Sequence, residues 1–94
     1  MSQTTIYPWG KDKPPVFFDN EDKTLRKFKS ICSYKGYYMT KQVQSFSVTY
    51  AKQVGVETGN PYEDFKKACD TTNSAMVRQV RIMMEEFIKN NRVR

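Results

Sequence analysis

One stretch of this chain is used twice, and that duplication limits the folds open to it. Moved forward by 37 positions, residues 25–52 fall on residues 62–89 without a gap. Phe28, Lys29, Cys32, Met39, Gln42, Val43 and Lys52 then meet Phe65, Lys66, Cys69, Met76, Gln79, Val80 and Lys89. Leu25 with Tyr62, Ile31 with Ala68, Lys41 with Arg78, Phe46 with Met83 and Tyr50 with Phe87 are chemically similar pairs. Gly36 meets Asn73, and these residue types most readily take a positive φ at a helix end. Apolar periodicity alone accounts for the Phe and Val matches, but not for the paired Lys, Gln and Cys. An internal repeat of this length makes each copy one supersecondary unit.

The repeat unit reads as two helices. In the first copy Asn20 or Asp19 can cap a helix, with Glu21 and Asp22 at the positive end of its dipole. Leu25, Phe28, Ile31 and Cys32 give it one apolar stripe, and Lys35-Gly36 ends it. Met39, Val43, Phe46 and Tyr50 continue at spacings of four and three, so a second helix is expected from about residue 38. In the second copy Pro61 opens a short helix carrying Tyr62, Phe65, Ala68 and Cys69. Thr72, Asn73 and Ser74 supply a break and a cap. Met76, Val77, Val80, Met83, Met84 and Phe87 then form the broad apolar face of a longer helix. Residues 45–50 also alternate as a strand would. Helix is preferred there because the repeat aligns them with a segment that has no strand reading.

Two short β-prone runs precede the helical units. Val16-Phe17-Phe18 follows Pro14 and Pro15, and Val54 and Val56 alternate ahead of the Gly59-Asn60 turn. Residues 1–13 show no periodicity and read as a flexible N-terminal arm. The expected organisation is therefore an arm at 1–13, a first unit at 14–52, a second at 53–90 and a basic tail at 91–94.

Charge bears on partners. The 94 residues carry a formal net charge of +6 and no histidine, and the sequence pI is about 9.4. That balance favours an anionic partner, nucleic acid or an acidic membrane surface. No run of eighteen apolar residues exists, so no membrane span is expected. The first residues lack the basic and apolar regions of a secretory signal, and a cytoplasmic location fits. Cys32 and Cys69 lack the clustering of a metal site, and buried thiols fit them better than a disulfide. Without histidine, clustered carboxylates or a Gly-rich phosphate loop, enzyme chemistry has few candidates. No catalytic residue, metal or cofactor is expected.

Residues 25–36 with their Leu-x-x-Phe-x-x-Ile-Cys pattern and closing Gly36, followed by 37–50, resemble the ribbon–helix–helix DNA-binding proteins. These include the Arc and methionine repressors and many plasmid copy-control and partition regulators. Residues 65–78 look like the same motif with a shorter first helix. The resemblance covers roughly residues 14–90 and points to tandem ribbon–helix–helix chains, known among regulators that include those of archaeal viruses. It implies a mainly α fold with a short β-ribbon, in the order β-α-α-β-α-α. It also implies sequence-specific binding to double-stranded DNA, by promoter occlusion or by recruiting the transcription machinery, in a host cytoplasm if the source is viral.

Carried over by position, the resemblance puts one strand at Val16–Phe18 and the other around 53–57. Val16, Phe18, Val54 and Val56 would face inward. Pro15, Phe17, Gln53, Gly55 and Glu57 would face the major groove. Helix N-termini would clamp phosphate at Tyr38, Met39 and Thr40 and at Asn73, Ser74 and Ala75, flanked by Lys35, Lys41 and Arg78, with Lys11 and Lys13 contributing from the arm. A homodimer is expected from the Met- and Phe-rich face of residues 76–87. One alternative keeps a single ribbon–helix–helix with its strand at 45–50 and a helical N-terminal extension. The other is a helical protein–protein adaptor of the antitoxin or phage-inhibitor kind.

Overall fold

A computed structural model describes residues 2–91 of the chain. Among these residues two short strands, β1 (Gln3–Ile6) and β2 (Val16–Asp19), precede four helices. The helices are α1 (Lys23–Lys35), α2 (Met39–Val54), α3 (Pro61–Thr71) and α4 (Met76–Asn90). None is long and apolar enough to cross a membrane.

The repeat appears in the structure as two helical hairpins, α1–α2 and α3–α4, with matched interiors. Phe28 and Phe65 are fully buried, as are Val43 and Val80, and Cys32 and Cys69 are nearly so. The turns match to the atom. Gly36 has φ 77° and Asn73 φ 57°. The Tyr37 N–H donates to the Cys32 carbonyl at 2.8 Å, and the Ser74 N–H to the Cys69 carbonyl at 2.9 Å. This six-to-one bond needs a left-handed residue just past the helix, which is why Gly and Asn hold these equivalent places. α2 and α4 begin at Met39 and Met76, equivalent residues again.

Neither hairpin packs chiefly on itself. α1 lies against α4 and α2 against α3, with α2 and α4 meeting between them. Exchanging the two units maps each of these contacts onto another, so the bundle has the contact pattern of a pseudo-two-fold dimer within one chain. The aromatic interior follows suit: Phe28 meets Phe46 and Phe87, and Phe65 meets Tyr50. Met76, Met83, Met84 and Phe87 all pack into this shared core. The face that suggested a homodimer is thus partly covered by the chain's own helices, with Met76, Met83 and Phe87 half-buried and Val77 exposed.

The ribbon corrects the sequence reading. β1 pairs antiparallel with β2, Gln3 opposite Asp19 and Ile6 opposite Val16, as a hairpin at the N-terminus. Val16 and Phe18 face inward, as expected, and are joined by Ile6. No strand forms around residues 53–57. α2 runs on through Val54, and Gly55 takes φ 96° as its left-handed terminus. The Val56 N–H closes the helix end on the Ala51 carbonyl at 2.8 Å, so it is not free for a ladder. The helix cap won over a three-residue alternation. The tandem β-α-α-β-α-α order is replaced, among the described residues, by β-β-α-α-α-α. Residues 45–50 are helical, which removes the strand alternative there.

Nor are residues 3–13 an arm. Beyond β1, Pro8 is buried, and the Trp9 indole stacks 5.6 Å from Phe65 and lies edge-on 5.3 Å from Tyr62. Its Nε1–H donates to Ser47 Oγ at 3.1 Å, and the Ser47 hydroxyl donates on to the Gln44 carbonyl at 2.6 Å. Ser47 is the counterpart of Met84, and both are fully buried. A hydroxymethyl in one unit where the other has a thioether is associated with a docked indole, and the serine supplies a polar partner for the half-buried Trp9. Of the basic tail expected at 91–94, all but Asn91 lies outside the described residues.

The first-helix caps are side chains. Asp22, rather than Asn20 or Asp19, caps α1 by accepting from the Thr24 and Leu25 N–H groups. The turn at 19–22, closed by the Asp22 N–H on the Asp19 carbonyl at 2.9 Å, delays the helix start to Lys23. Asn20 bonds Thr4 and Ser2 of the hairpin instead. Asn60 caps α3 through the Tyr62 and Glu63 N–H groups.

Candidate nucleic-acid interface

The second helix of each unit starts differently from the first. Tyr38 and Ala75, the N-cap residues of α2 and α4, make no side-chain capping bond. Such a helix start leaves its first N–H groups to solvent or to an anion. Lys41 and Arg78 sit at equivalent positions in these first turns, both exposed. Thr40 is exposed beside Lys41, and Lys35 is the exposed last residue of α1.

In the second unit the expected clamp residues Asn73 and Ser74 lie ahead of the helix start. Asn73 holds the left-handed position, and the Ser74 N–H is spent on the Cys69 carbonyl, so neither amide is free. The open N-terminal turn of α4 begins with Met76, Val77 and Arg78. The structural equivalents of Asn73 and Ser74 are Gly36 and Tyr37, which belong to the turn and not to the helix start.

The ribbon presents Gln3, Thr5, Phe17 and Asp19 outward, all exposed. Phe17 is 53% exposed and is the one expected groove-facing residue that lies on a strand with its side chain outward. Pro15 precedes β2 and is half-buried. Gln53 is instead on α2, Gly55 is its terminus, and Glu57 is in the following loop. These three share no face with the ribbon's strands. Lys11 is exposed in the hairpin connection, whereas the half-buried Lys13 holds its ammonium 5.6 Å from the centre of the Tyr62 ring.

The ribbon is fastened to both units. Arg81 of α4 forms a two-pronged ion pair with Asp22, its Nη1–H donating to Oδ1 at 3.1 Å, while the guanidinium lies 5.5 Å from the Phe18 ring centre. The Arg81 hydrogen bond holds the Asp22 carboxyl below its usual range, helped by the α1 amides. This is the only ion pair among the described residues, and it takes Arg81 out of contention as a free cation.

Charge is where the two units part. Residues 23–54 contain Lys23, Arg26, Lys27, Lys29, Lys35, Lys41 and Lys52 and no carboxylate. Residues 61–90 balance Lys66, Lys67, Arg78, Arg81 and Lys89 against Glu63, Asp64, Asp70, Glu85 and Glu86. Exposed aromatic rings follow the same divide. Tyr34, Tyr37 and Tyr38 are 74%, 46% and 76% exposed, where the second unit has Thr71, Ser74 and Ala75. Arg26, Lys29 and Tyr34 line a groove between α1 and the ribbon. Reading net charge over the whole chain missed this; counting it separately in each copy of the repeat would have found it. Elsewhere, burial pushes the Cys32 and Cys69 thiols up to about 11, leaving both without a nucleophilic role at neutral pH. Comparison with protein-family profiles, curated proteins and solved structures found no match for this chain.

Proposed function

We infer that the chain is a double-stranded DNA-binding regulator of transcription, built as a single-chain pseudo-dimer of helical hairpins. The observation that carries this reading is the pair of equivalent helix starts, α2 and α4, each without a side-chain cap and each followed by a first-turn cation, Lys41 or Arg78. Such a start receives phosphate through backbone N–H groups and the helix dipole. The reading does not require the tandem β-α-α-β-α-α order. The helical hairpins are duplicated, but one N-terminal ribbon serves both, and its outward Gln3 and Thr5 replace Gln53, Gly55 and Glu57 as candidates for reading base edges. The regulator acts on promoters by occlusion or by recruiting polymerase, in the cytoplasm of a host if it is viral.

A helical adaptor would call for an unpartnered apolar stripe, and most of the stripe on α4 packs against the core, Val77 excepted. The homodimer remains part of the proposal only through some other surface. Binding should weaken steeply with salt as phosphate contacts release counterions. Replacing Lys41 and Arg78 together with Ala should lower affinity for every duplex alike and flatten the dependence of log K on log salt by about 2, near 0.9 per phosphate contact. Replacing Gln3 should change preference among duplexes selected from a random pool. Affinity insensitive to salt, or a pool that enriches no sequence, would overturn the reading.

A further inference from the structure

The two units fold alike, so each shows what the other's fold requires. The α3 surface carries Lys66 and Lys67 with Glu63 and Asp70, all exposed, and the half packs as well as its counterpart. An acid-free α1 with five cations is therefore not a requirement of the architecture. The same holds for Tyr34, Tyr37 and Tyr38, whose counterparts are small and polar or apolar. Excess charge and exposed aromatic rings have accumulated in one copy only.

Both coincide on one surface. Arg26, Lys29, Ser33 and Tyr34 fall at helical spacings on α1 and form one wall of a groove of about 680 Å³. Thr4 and Asn20 of the hairpin form the other. The cations of α1 have no carboxylate partner among the described residues. Two cations, the Ser30 and Ser33 hydroxyls and an exposed phenol suit a chain of phosphodiesters: point charges for the phosphates, neutral donors for their oxygens, a ring against sugar or base, while Thr4 and Asn20 are bonded to each other and to Ser2. Beyond the groove, Lys35, Tyr38 and Lys41 lead on to the open helix start of α2.

We propose that the α1–ribbon groove of the first unit binds the phosphodiester backbone of duplex DNA, so that the pseudo-symmetric protein engages DNA one-sidedly. This rests on the DNA-binding reading above and adds to it a surface that the two equivalent helix starts do not predict. The duplex is favoured over an acidic membrane because Leu25 is the one aliphatic side chain lining the groove and the flanking tyrosines are not backed by an exposed apolar face on α1.

The test uses the whole chain and fluorescence anisotropy with a labelled random-sequence 20-base-pair duplex, the matching single strand, and vesicles containing a third phosphatidylserine. Arg26→Gln with Lys29→Gln removes two charges from the groove; Lys66→Gln with Lys67→Gln removes the same charge from α3. All four side chains are exposed, and unchanged circular dichroism and melting temperature verify folding. The groove pair should weaken duplex binding about tenfold and flatten the salt slope by about 2, while the α3 pair changes affinity less than twofold. Equal losses from both pairs would overturn the proposal. So would intact binding in the groove pair when Lys41→Ala still weakens it, an outcome that leaves the DNA-binding reading standing. Tighter binding to the single strand overturns the duplex assignment. Wild-type chain that binds vesicles and neither nucleic acid overturns both readings.

Discussion

The first and second helical units share a core and differ in surface, and the comparison separates what the fold demands from what a partner demands. At Phe28 and Phe65, Val43 and Val80, and Cys32 and Cys69, the interior repeats residue for residue. At Arg26 and Glu63, Tyr34 and Thr71, and Tyr38 and Ala75 it does not. Interior positions are held by packing, which tolerates few changes in volume. Surface positions are free unless something binds there, so a one-sided build-up of charge and aromatic rings is informative. Ser47 and Met84 are an interior pair that differs in polarity: there the N-terminal hairpin breaks the symmetry by docking Trp9.

The comparison can be broken most forcefully in the core. Phe28→Ala and Phe65→Ala each remove a fully buried ring and should each cost about 3–5 kcal/mol. Denaturant melts should give the two losses within about 1 kcal/mol of each other, since each ring is fully buried and meets two aromatic neighbours, Phe46 and Phe87 for Phe28 and Trp9 and Tyr50 for Phe65. A much smaller loss in one unit would mean that the halves are not equivalent in energy.

Trp9→Ala tests the asymmetric part. It empties a site against Phe65 and Tyr62 and strips Ser47 of its indole partner, so a loss of roughly 2–3 kcal/mol is expected. Removing residues 1–13 should do at least as much harm. A shortened chain as stable as the whole one would restore the flexible arm that the sequence suggested.

Asp22 has the smallest expected effect. Asp22→Ala removes the α1 cap and should cost about 1–2 kcal/mol, whereas Asp22→Asn keeps a capping oxygen and should cost under about 1 kcal/mol, because the Arg81 partner is partly solvated. The Asp22 and Asp64 carboxyls both titrate below their ordinary 3.8, the first held down by Arg81, the second by Thr58. A depressed carboxyl stabilises the fold above its unfolded pKa and loses that contribution as pH falls through its folded value. Stability should therefore drop below about pH 4, less steeply in Asp22→Asn; urea melts between pH 2 and 6 would measure both slopes.

The helices, their stripes and their turns could be read from the sequence because the repeat averaged out local ambiguity. Residues 45–50 alternate like a strand, and alignment with 82–87 was enough to place them in a helix. The hairpin was not legible. Four-residue strands carry little signal, and Gln3–Ile6 lies among Pro, Trp and Gly residues that look like an arm until Trp9 is seen packed. Val54-Gly55-Val56 misled in the opposite direction, since a helix ending on Gly between two valines looks like a short strand. Asn73 and Ser74 resemble a helix cap in sequence, while their backbone belongs to the preceding turn and α4 starts at Met76. Gln53, Gly55 and Glu57 were consequences of the missed hairpin. The contrast in charge around Arg26 and Lys29 is hidden in a sum over the whole chain and appears only when the two copies are set against each other.

Amide chemical-shift mapping of the labelled chain, titrated with a duplex at low salt, tests the central claim most directly. Perturbations should cluster at residues 26–41, along the groove and into the start of α2, with the equivalent amides at 63–78 disturbed far less outside the α4 start. Perturbations of equal size in both stretches, or confined to the second, would contradict the account.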